Sequence, residues 1–338
     1  MPEIIDYFGK IIYNVKKQVG EIMLYKNTFK LLFSNASLIW KILFYLFVST
    51  AVVLGLSLLT ALPIVQVLVN ESFFEIISDV YSNFLSNLDL QGLIIRIGDL
   101  SVKFVSIIND NISKILLSLF GFGFVFFMLG SIIINFYSMP ANICLYYYMS
   151  SNTKQSFMNS MASSFKKNLL YQLIRLIIYI PLNFGIYYLL LYSFRLFRYG
   201  GFMTFASPFI ILFGFALIES LKQTLLCGWL PGMVVRNKGV FAGLKEGMLI
   251  PKRRFGQTYG NAFALVLTVV FLNVFGGVFT YGVGLIVTVP VTIILFNIFG
   301  MVAYYSANGQ KYYLDPYNVM APKTMEYTDR LGNQRYII

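Results

Sequence analysis

The stretch that decides the fold is Gly260 to Tyr305, GNAFALVLTVVFLNVFGGVFTYGVGLIVTVPVTIILFNIFGMVAYY. It is almost wholly apolar. A membrane crossing needs about 20 such residues, because hydrocarbon offers no partner to an exposed backbone. Forty-six residues at about 1.5 Å of rise each are too many for one crossing. The glycine-rich part around Tyr281, Gly282 and Gly284 divides the stretch into two spans, 260–281 and 283–305. The same pattern recurs at 39–64, 115–138, 169–194 and 205–230. The sequence therefore predicts an all-α integral membrane protein with a bundle of six transmembrane helices.

Composition agrees. Hydrophobic residues make up 58% of the chain and charged residues 12%, about half the charged share of a soluble domain. Phe (33) and Tyr (24) are abundant, as where aromatic rings sit at membrane interfaces. The first residues show no apolar run leading to a small-residue cleavage site, so no removable signal peptide is read.

Orientation follows from Lys and Arg. With both ends in the cytoplasm, 21 of the 26 basic residues fall on that side and five outside: Arg96, Lys103, Lys114, Arg195 and Arg198. The outer loop 65–114 is acidic instead, with Glu71, Glu75, Asp79, Asp89, Asp99 and Asp110. The expected localisation is the plasma (cytoplasmic) membrane, multi-pass. The net charge of +12 then points to anionic headgroups at the cytoplasmic face, with no nucleic acid as partner. Lys16, Lys17, Lys166, Lys167, Lys252, Arg253 and Arg254 form the expected basic interface.

The chain divides into 1–36, a cytoplasmic or interfacial segment; 37–305, the six-span domain; and 306–338, a polar cytoplasmic tail. In 9–26 the apolar residues Ile11, Ile12, Val15, Val19, Ile22 and Met23 share one helical face, predicting an amphipathic helix in the inner interface. Loop 65–114 predicts an amphipathic helix around Phe73 to Leu85 and a second helical run over 93–108 that extends the next span outward. Short basic segments at 23–29, 156–167 and 248–255 precede the odd-numbered spans. They suggest three helical hairpins, each introduced by an interfacial helix, although the positive-inside rule explains them equally well. In the tail, Pro316 and Pro322 argue against a continuous helix and Gly332-Asn333 reads as a turn.

Ionisable groups within spans are costly and mark candidate sites. Glu219 has Lys222 one turn on, and Arg175 is expected at a similar depth, so an Arg175, Glu219 and Lys222 cluster is predicted. It reads either as a coupling site or as a structural ion pair. Asn183, Asn273 and Asn297 read as helix-joining or pore-lining amides. Pro140, Pro181 and Pro290 are expected at kinks or ends, and Gly121, Gly123 and Gly130 where helices approach or bend. Cys144 and Cys227 read as small buried hydrophobes. Histidine is absent, and with it the commonest general base and metal ligand. No catalytic or metal site and no cofactor are expected.

Residues 228–270, from Gly228-Trp229-Leu230-Pro231-Gly232 through Lys252-Arg253-Arg254-Phe255 into the fifth span, resemble the membrane domain attached to some bacterial glycerophosphodiester phosphodiesterases. Residues 139–174 resemble a Firmicute membrane family that neighbours sugar-uptake genes. The resemblance implies an all-helical bundle and an auxiliary role; no phosphodiesterase catalytic domain is read, so that activity is not carried over, and the Ile-, Asn-, Lys- and Tyr-rich composition fits a Gram-positive bacterium. The expected function is a non-enzymatic accessory, assembly or scaffold subunit of a membrane complex, with other membrane proteins as partners. The alternative is a transporter or channel that uses the Arg175 cluster.

Overall fold

The computed structural model describes residues 24–87, 89–195, 202–321, 326–329 and 334–336. Lys16, Lys17 and most of the predicted N-terminal amphipathic helix lie outside them, as do Gly332 and Asn333.

Among the described residues six helical stretches are long and apolar enough to cross a membrane: Ala36–Asn70, Ile112–Ser151, Phe157–Ser193, Phe205–Val235, Leu249–Val278 and Leu285–Asn308. Each contains or overlaps one predicted span, and the chain is a multi-pass helical protein. Individual helices are α1 (24–34), α2 (Ala36–Asn70), α3 (Phe73–Asn87), α4 (Leu90–Asp110), α5 (Ile112–Gly123), α6 (Gly130–Asn135), α7 (Ser138–Ser151), α8 (Phe157–Ser193), α9 (Phe202–Leu226), α10 (Trp229–Val235), α11 (Val240–Gly247), α12 (Leu249–Val278) and α13 (Leu285–Asn308). A π-helical turn, Phe124–Leu129, joins α5 to α6.

Two compact units divide the chain: Phe47–Ile134, and Met1–Leu46 with Asn135–Ile338. In the first, α3 and α4 are separate helices. Asp89 caps α4 by accepting from the amides of Gln91 and Gly92, as an N-cap aspartate does. The run 93–108 therefore does not extend the next span as expected; α4 stops at Asp110, and Asn111, with φ −117°, separates it from α5. Val67, Phe73, Ile107 and Ile115 form a small core. An added Cβ at Gly130 would come 3.0 Å from Val53, so that glycine does allow close approach.

The second unit holds the main core. It is concentrated in α7, α10 and the second half of α13, which pack against one another. The large side chains Leu145, Met149, Trp229, Met233, Phe299 and Tyr304 are nearly inaccessible there. The predicted lead-in segments are not alike. Helix α1 is a distinct helix, broken from α2 at Asn35. It is docked rather than lying free: the Tyr25 amide donates to Asn261 and Asn27 donates to the Tyr312 hydroxyl. Residues 157–167 are simply the first turns of α8, and 249–254 run into α12 up to a non-helical Arg254. Helix α8 continues through Pro181, and α13 through Pro290. Pro140 sits in the first turn of α7, where its missing N–H costs nothing.

Helices α10 and α11 form a tight hairpin that depends on four glycines. A Cβ at Gly228 would come within 2.8 Å of the Gly247 backbone, and one at Gly232 within 2.8 Å of the Gly243 carbonyl. The spacing is small-xxx-small in both helices, which lets two backbones touch. The tail folds. After Asn308 come β1 (Tyr312–Tyr313), β2 (Asn318–Ala321), β3 (Glu326–Asp329) and β4 (Gln334–Tyr336), an antiparallel sheet in sequential order. Tyr312, Leu314 and Met320 are buried in the main core.

Candidate functional site

Two of the crossings are interrupted, between α6 and α7 at Phe136-Tyr137 and between α9 and α10 at Cys227-Gly228. A break inside a span-length helical stretch is tolerated where it lines a cavity or is bonded by neighbours. Both conditions hold. The amide of Asn168 donates to the Phe136 carbonyl at 2.5 Å, and Gln172 donates to the Asn135 carbonyl at 2.8 Å and to the Ser138 hydroxyl at 2.9 Å. Both α8 residues are almost fully buried.

Between the two breaks lies a cavity of about 260 Å³. Helix α8 contributes Tyr171, Arg175 and Tyr179; α7 contributes Ser138 and Asn142; Gln223, Cys227 and Asn297 come from α9, its end and α13. Among the described residues no carboxylate lines it.

Arg175 is its cation. The guanidinium donates to the Gln172 side chain at 3.2 Å and lies 4.6 Å from the centre of the Tyr179 ring. Among the described residues no carboxylate pairs with it. No direct ion pair joins Arg175 to the other two members of the predicted cluster, Glu219 and Lys222. Glu219 pairs with Lys222 at 2.7 Å, with both side chains largely buried. The Lys222 ammonium also donates to Asn183 at 3.0 Å, and Gln223 donates to Glu219 at 2.9 Å. Tyr179, one turn beyond Arg175, presents its ring to both cations, with Lys222 at 5.7 Å from the ring centre. Arg175 and Lys222 thus share one aromatic ring, and Glu219 and Lys222 do not line the cavity.

The three predicted amides each join helices. Asn183 links α8 to α9 through Lys222. Asn273 on α12 donates to Thr292 and accepts from Thr288 on α13, each at 2.9 Å. Asn297 accepts from Asn142 at 2.8 Å, tying α13 to α7, and it lines the cavity as well. Asn142 is 1% exposed. Its Nδ2 faces two acceptors, the Ser138 carbonyl and Asn297 Oδ1. That fixes the amide orientation and leaves its Oδ1 with no hydrogen bond.

Asn142, Asn168, Gln172, Tyr171 and Tyr179 were not singled out from the sequence. The signal was present in α8: Asn168, Gln172, Arg175, Tyr179 and Asn183 are spaced by four, three, four and four residues, one helical stripe. Cys144 is buried as expected, whereas Cys227 is half-buried at the cavity wall.

Of the predicted basic interface, Lys16 and Lys17 lie outside the described residues and the other five lie within them. Lys167 donates to the Met233 carbonyl at 3.2 Å and to Asn237 at 3.1 Å, and Arg253 donates to Asn308 at 3.0 Å. Lys166 and Lys252 are neighbours of these residues in sequence, and Arg254 donates to Gln257 at 3.4 Å. No protein-family model, curated protein or solved structure matches the chain.

Proposed function

We propose that this protein is a non-enzymatic plasma-membrane protein, with both ends in the cytoplasm, that binds a small anionic ligand in the Arg175 cavity as part of transport across or uptake at the membrane. The observation that carries the reading is a guanidinium on a helix long and apolar enough to cross a membrane, in a polar cavity, with no carboxylate among the described residues to neutralise it. A buried charge is expensive unless something pairs with it. Along α8, Arg175 is eight residues from Lys167, about 12 Å by helix rise. Transporters that use discontinuous helices hold substrates where the helices break, and two breaks flank this cavity. Glu219 and Lys222, tied to each other, serve as a structural pair rather than as the site.

A second reading is the accessory or scaffold subunit expected from the sequence. Its support is the folded sheet and the basic residues gathered beside α10 and α11, a surface suited to anionic headgroups or another membrane protein.

Cys227 supplies the test. In the full chain carrying Cys144→Ala, its modification rates by the anionic sulfonatoethyl and the cationic trimethylammonioethyl methanethiosulfonates are compared, each scaled to free cysteine. The anionic reagent is expected to be favoured by roughly tenfold, and Arg175→Gln to remove most of that preference. If neither reagent reaches Cys227 in the native protein while both do after denaturation, the cavity reading fails. A cytoplasmic C-terminal reporter tests the orientation; an external one overturns it.

A further inference from the structure

Helices α3 and α4 carry more apolar surface than they bury. They pack antiparallel: the Phe73 and Phe104 rings lie 5.3 Å apart at one end, and Val80, Phe84 and Leu93 line one small cleft toward the other. The inward row on α3 is Phe73, Ile76, Val80 and Phe84; on α4 it is Leu93, Leu100 and Ile107. A second apolar row runs along each helix. It comprises Phe74, Ile77, Tyr81 and Leu85 on α3, with Ile94, Ile97, Val102 and Val105 on α4, all between 40% and 72% exposed. At about 100° of turn per residue, each second row is displaced roughly 100–130° from the inward one in the sense of the chain's winding. In an antiparallel pair that offset puts both rows on the same side of the hairpin. Glu75, Asp79, Arg96, Asp99 and Lys103 fall on the other side. The hairpin is a two-helix slab with one apolar and one charged face.

Its root lies at headgroup depth. Residues 42–70 of α2 carry no charge and rise about 43 Å, close to the thickness of a bilayer with its headgroups. Glu71 follows directly. The hairpin is fastened there at both ends. Val67, Phe73, Ile107 and Ile115 come from four helices and form one core. Only Glu71-Ser72 joins α2 to α3, and only Asn111 joins α4 to α5. Ser72 has a left-handed φ of 51°, so α3 turns away from the axis of α2. Exposed apolar side chains run on into the spans beside the root, at Val65 and Val69 of α2 and at Ile112 and Leu116 of α5, and lipid is the solvent of those spans.

We infer that α3 and α4 lie along the bilayer surface from which α2 and α5 emerge, with the apolar face sunk among the headgroups of neutral lipids. A contiguous exposed apolar face marks a membrane or partner surface. The two short tethers select the membrane, because they hold the hairpin where lipid is already present. Charge selects the headgroup. Residues 71–114 hold six carboxylates against three cations. Anionic headgroups, which attract the usual basic interfacial helix, repel this one. Attachment therefore rests on apolar burial and on the rings of Phe74 and Tyr81. It does not depend on the Arg175 cavity.

Spin-label accessibility tests the inference. In the full chain carrying Cys144→Ala and Cys227→Ala, a nitroxide is attached at Ile77→Cys, Tyr81→Cys or Val102→Cys on the apolar face, and at Asp79→Cys or Lys103→Cys on the charged face. All five positions are exposed, so no packed side chain is displaced, and the three apolar-face sites report independently if one variant does not fold. Each protein is placed in phosphatidylcholine vesicles. Relaxation by oxygen, which partitions into lipid, is compared with relaxation by a neutral, water-soluble nickel chelate. With the apolar face about 5–10 Å into the boundary of headgroups and acyl chains, its labels should show an oxygen-to-nickel ratio at least about fivefold above that of the charged face. Replacing half of the lipid by phosphatidylglycerol should not raise the ratio. Equal ratios on the two faces place the hairpin in water and overturn the inference. Low accessibility of the apolar-face labels to both reagents means that protein covers them, a second copy or the rest of this chain, and overturns it as well. A ratio that rises with phosphatidylglycerol overturns the choice of headgroup.

Discussion

The Lys222 ammonium sits 2.7 Å from the Glu219 carboxylate, one turn away on α9. That bond underlies the role proposed for Arg175. With Lys222 further held by Asn183, and Glu219 by Gln223, the pair is closed and Arg175 is left to the cavity. Removing one partner strands the other in a largely buried site, at about 3 kcal/mol. Glu219→Gln should therefore lower the unfolding midpoint in detergent, and Glu219→Gln with Lys222→Met should recover most of the loss. The double variant, which leaves the net charge beside the cavity unchanged, should not alter the charge preference at Cys227. A Glu219→Gln protein as stable as the wild type but with altered charge preference would return Glu219 to the site.

The hairpin of α10 and α11 makes a prediction about shape. A Cβ at Gly247 would meet the Gly228 carbonyl and the Trp229 amide nitrogen at 2.6 Å, backbone that cannot step aside. Gly247→Ala should cost about 1–3 kcal/mol by overpacking. Gly256, in α12, has nothing near its missing Cβ. Gly256→Ala should be neutral or stabilise the helix by about 0.5–1 kcal/mol. Thermal denaturation of the two variants side by side checks the contrast.

The same hairpin should respond to acid. Lys238 binds Glu246 at 2.5 Å. Chiefly because of this bond, the Glu246 carboxyl is held below its ordinary value, with Arg236 adding to the effect and partial burial opposing it. A carboxyl with a depressed folded-state value contributes stability above its unfolded value, near pH 4, and loses that contribution as pH falls through the folded one. Stability between pH 7 and pH 3 should fall less steeply in Glu246→Gln than in the wild type. Identical slopes would show that this bond does not hold the hairpin.

What the sequence disclosed and what it did not have one physical cause. Spans are written in hydropathy, because lipid is their solvent, so 39–64 or 283–305 could be read without knowing any neighbour. Rotation of one helix against the next is not written there, since an apolar side chain is equally content against lipid or protein. Hence Arg175 could be given a depth but not its contacts, and the ring of Tyr179 that it shares with Lys222 was invisible. The stripe from Asn168 to Asn183 was legible in spacing alone, and so were the paired glycines 228, 232, 243 and 247. The sheet was hidden because Tyr312, Leu314 and Met320 are too few and too scattered to form a periodic signal, and because Tyr312 gains its bond from Asn27, 285 residues away.

The most direct test of the central claim is the stability of ligand-free Arg175→Gln. A cation placed to meet a ligand is poorly compensated before the ligand arrives, and sites of this kind are kept at a cost in stability. The account predicts an unfolding midpoint equal to or above that of the wild type, together with loss of the anionic preference at Cys227. A drop as large as that of Glu219→Gln, with the preference intact, would mean that Arg175 holds the bundle together, and the cavity would lose its claim to a ligand.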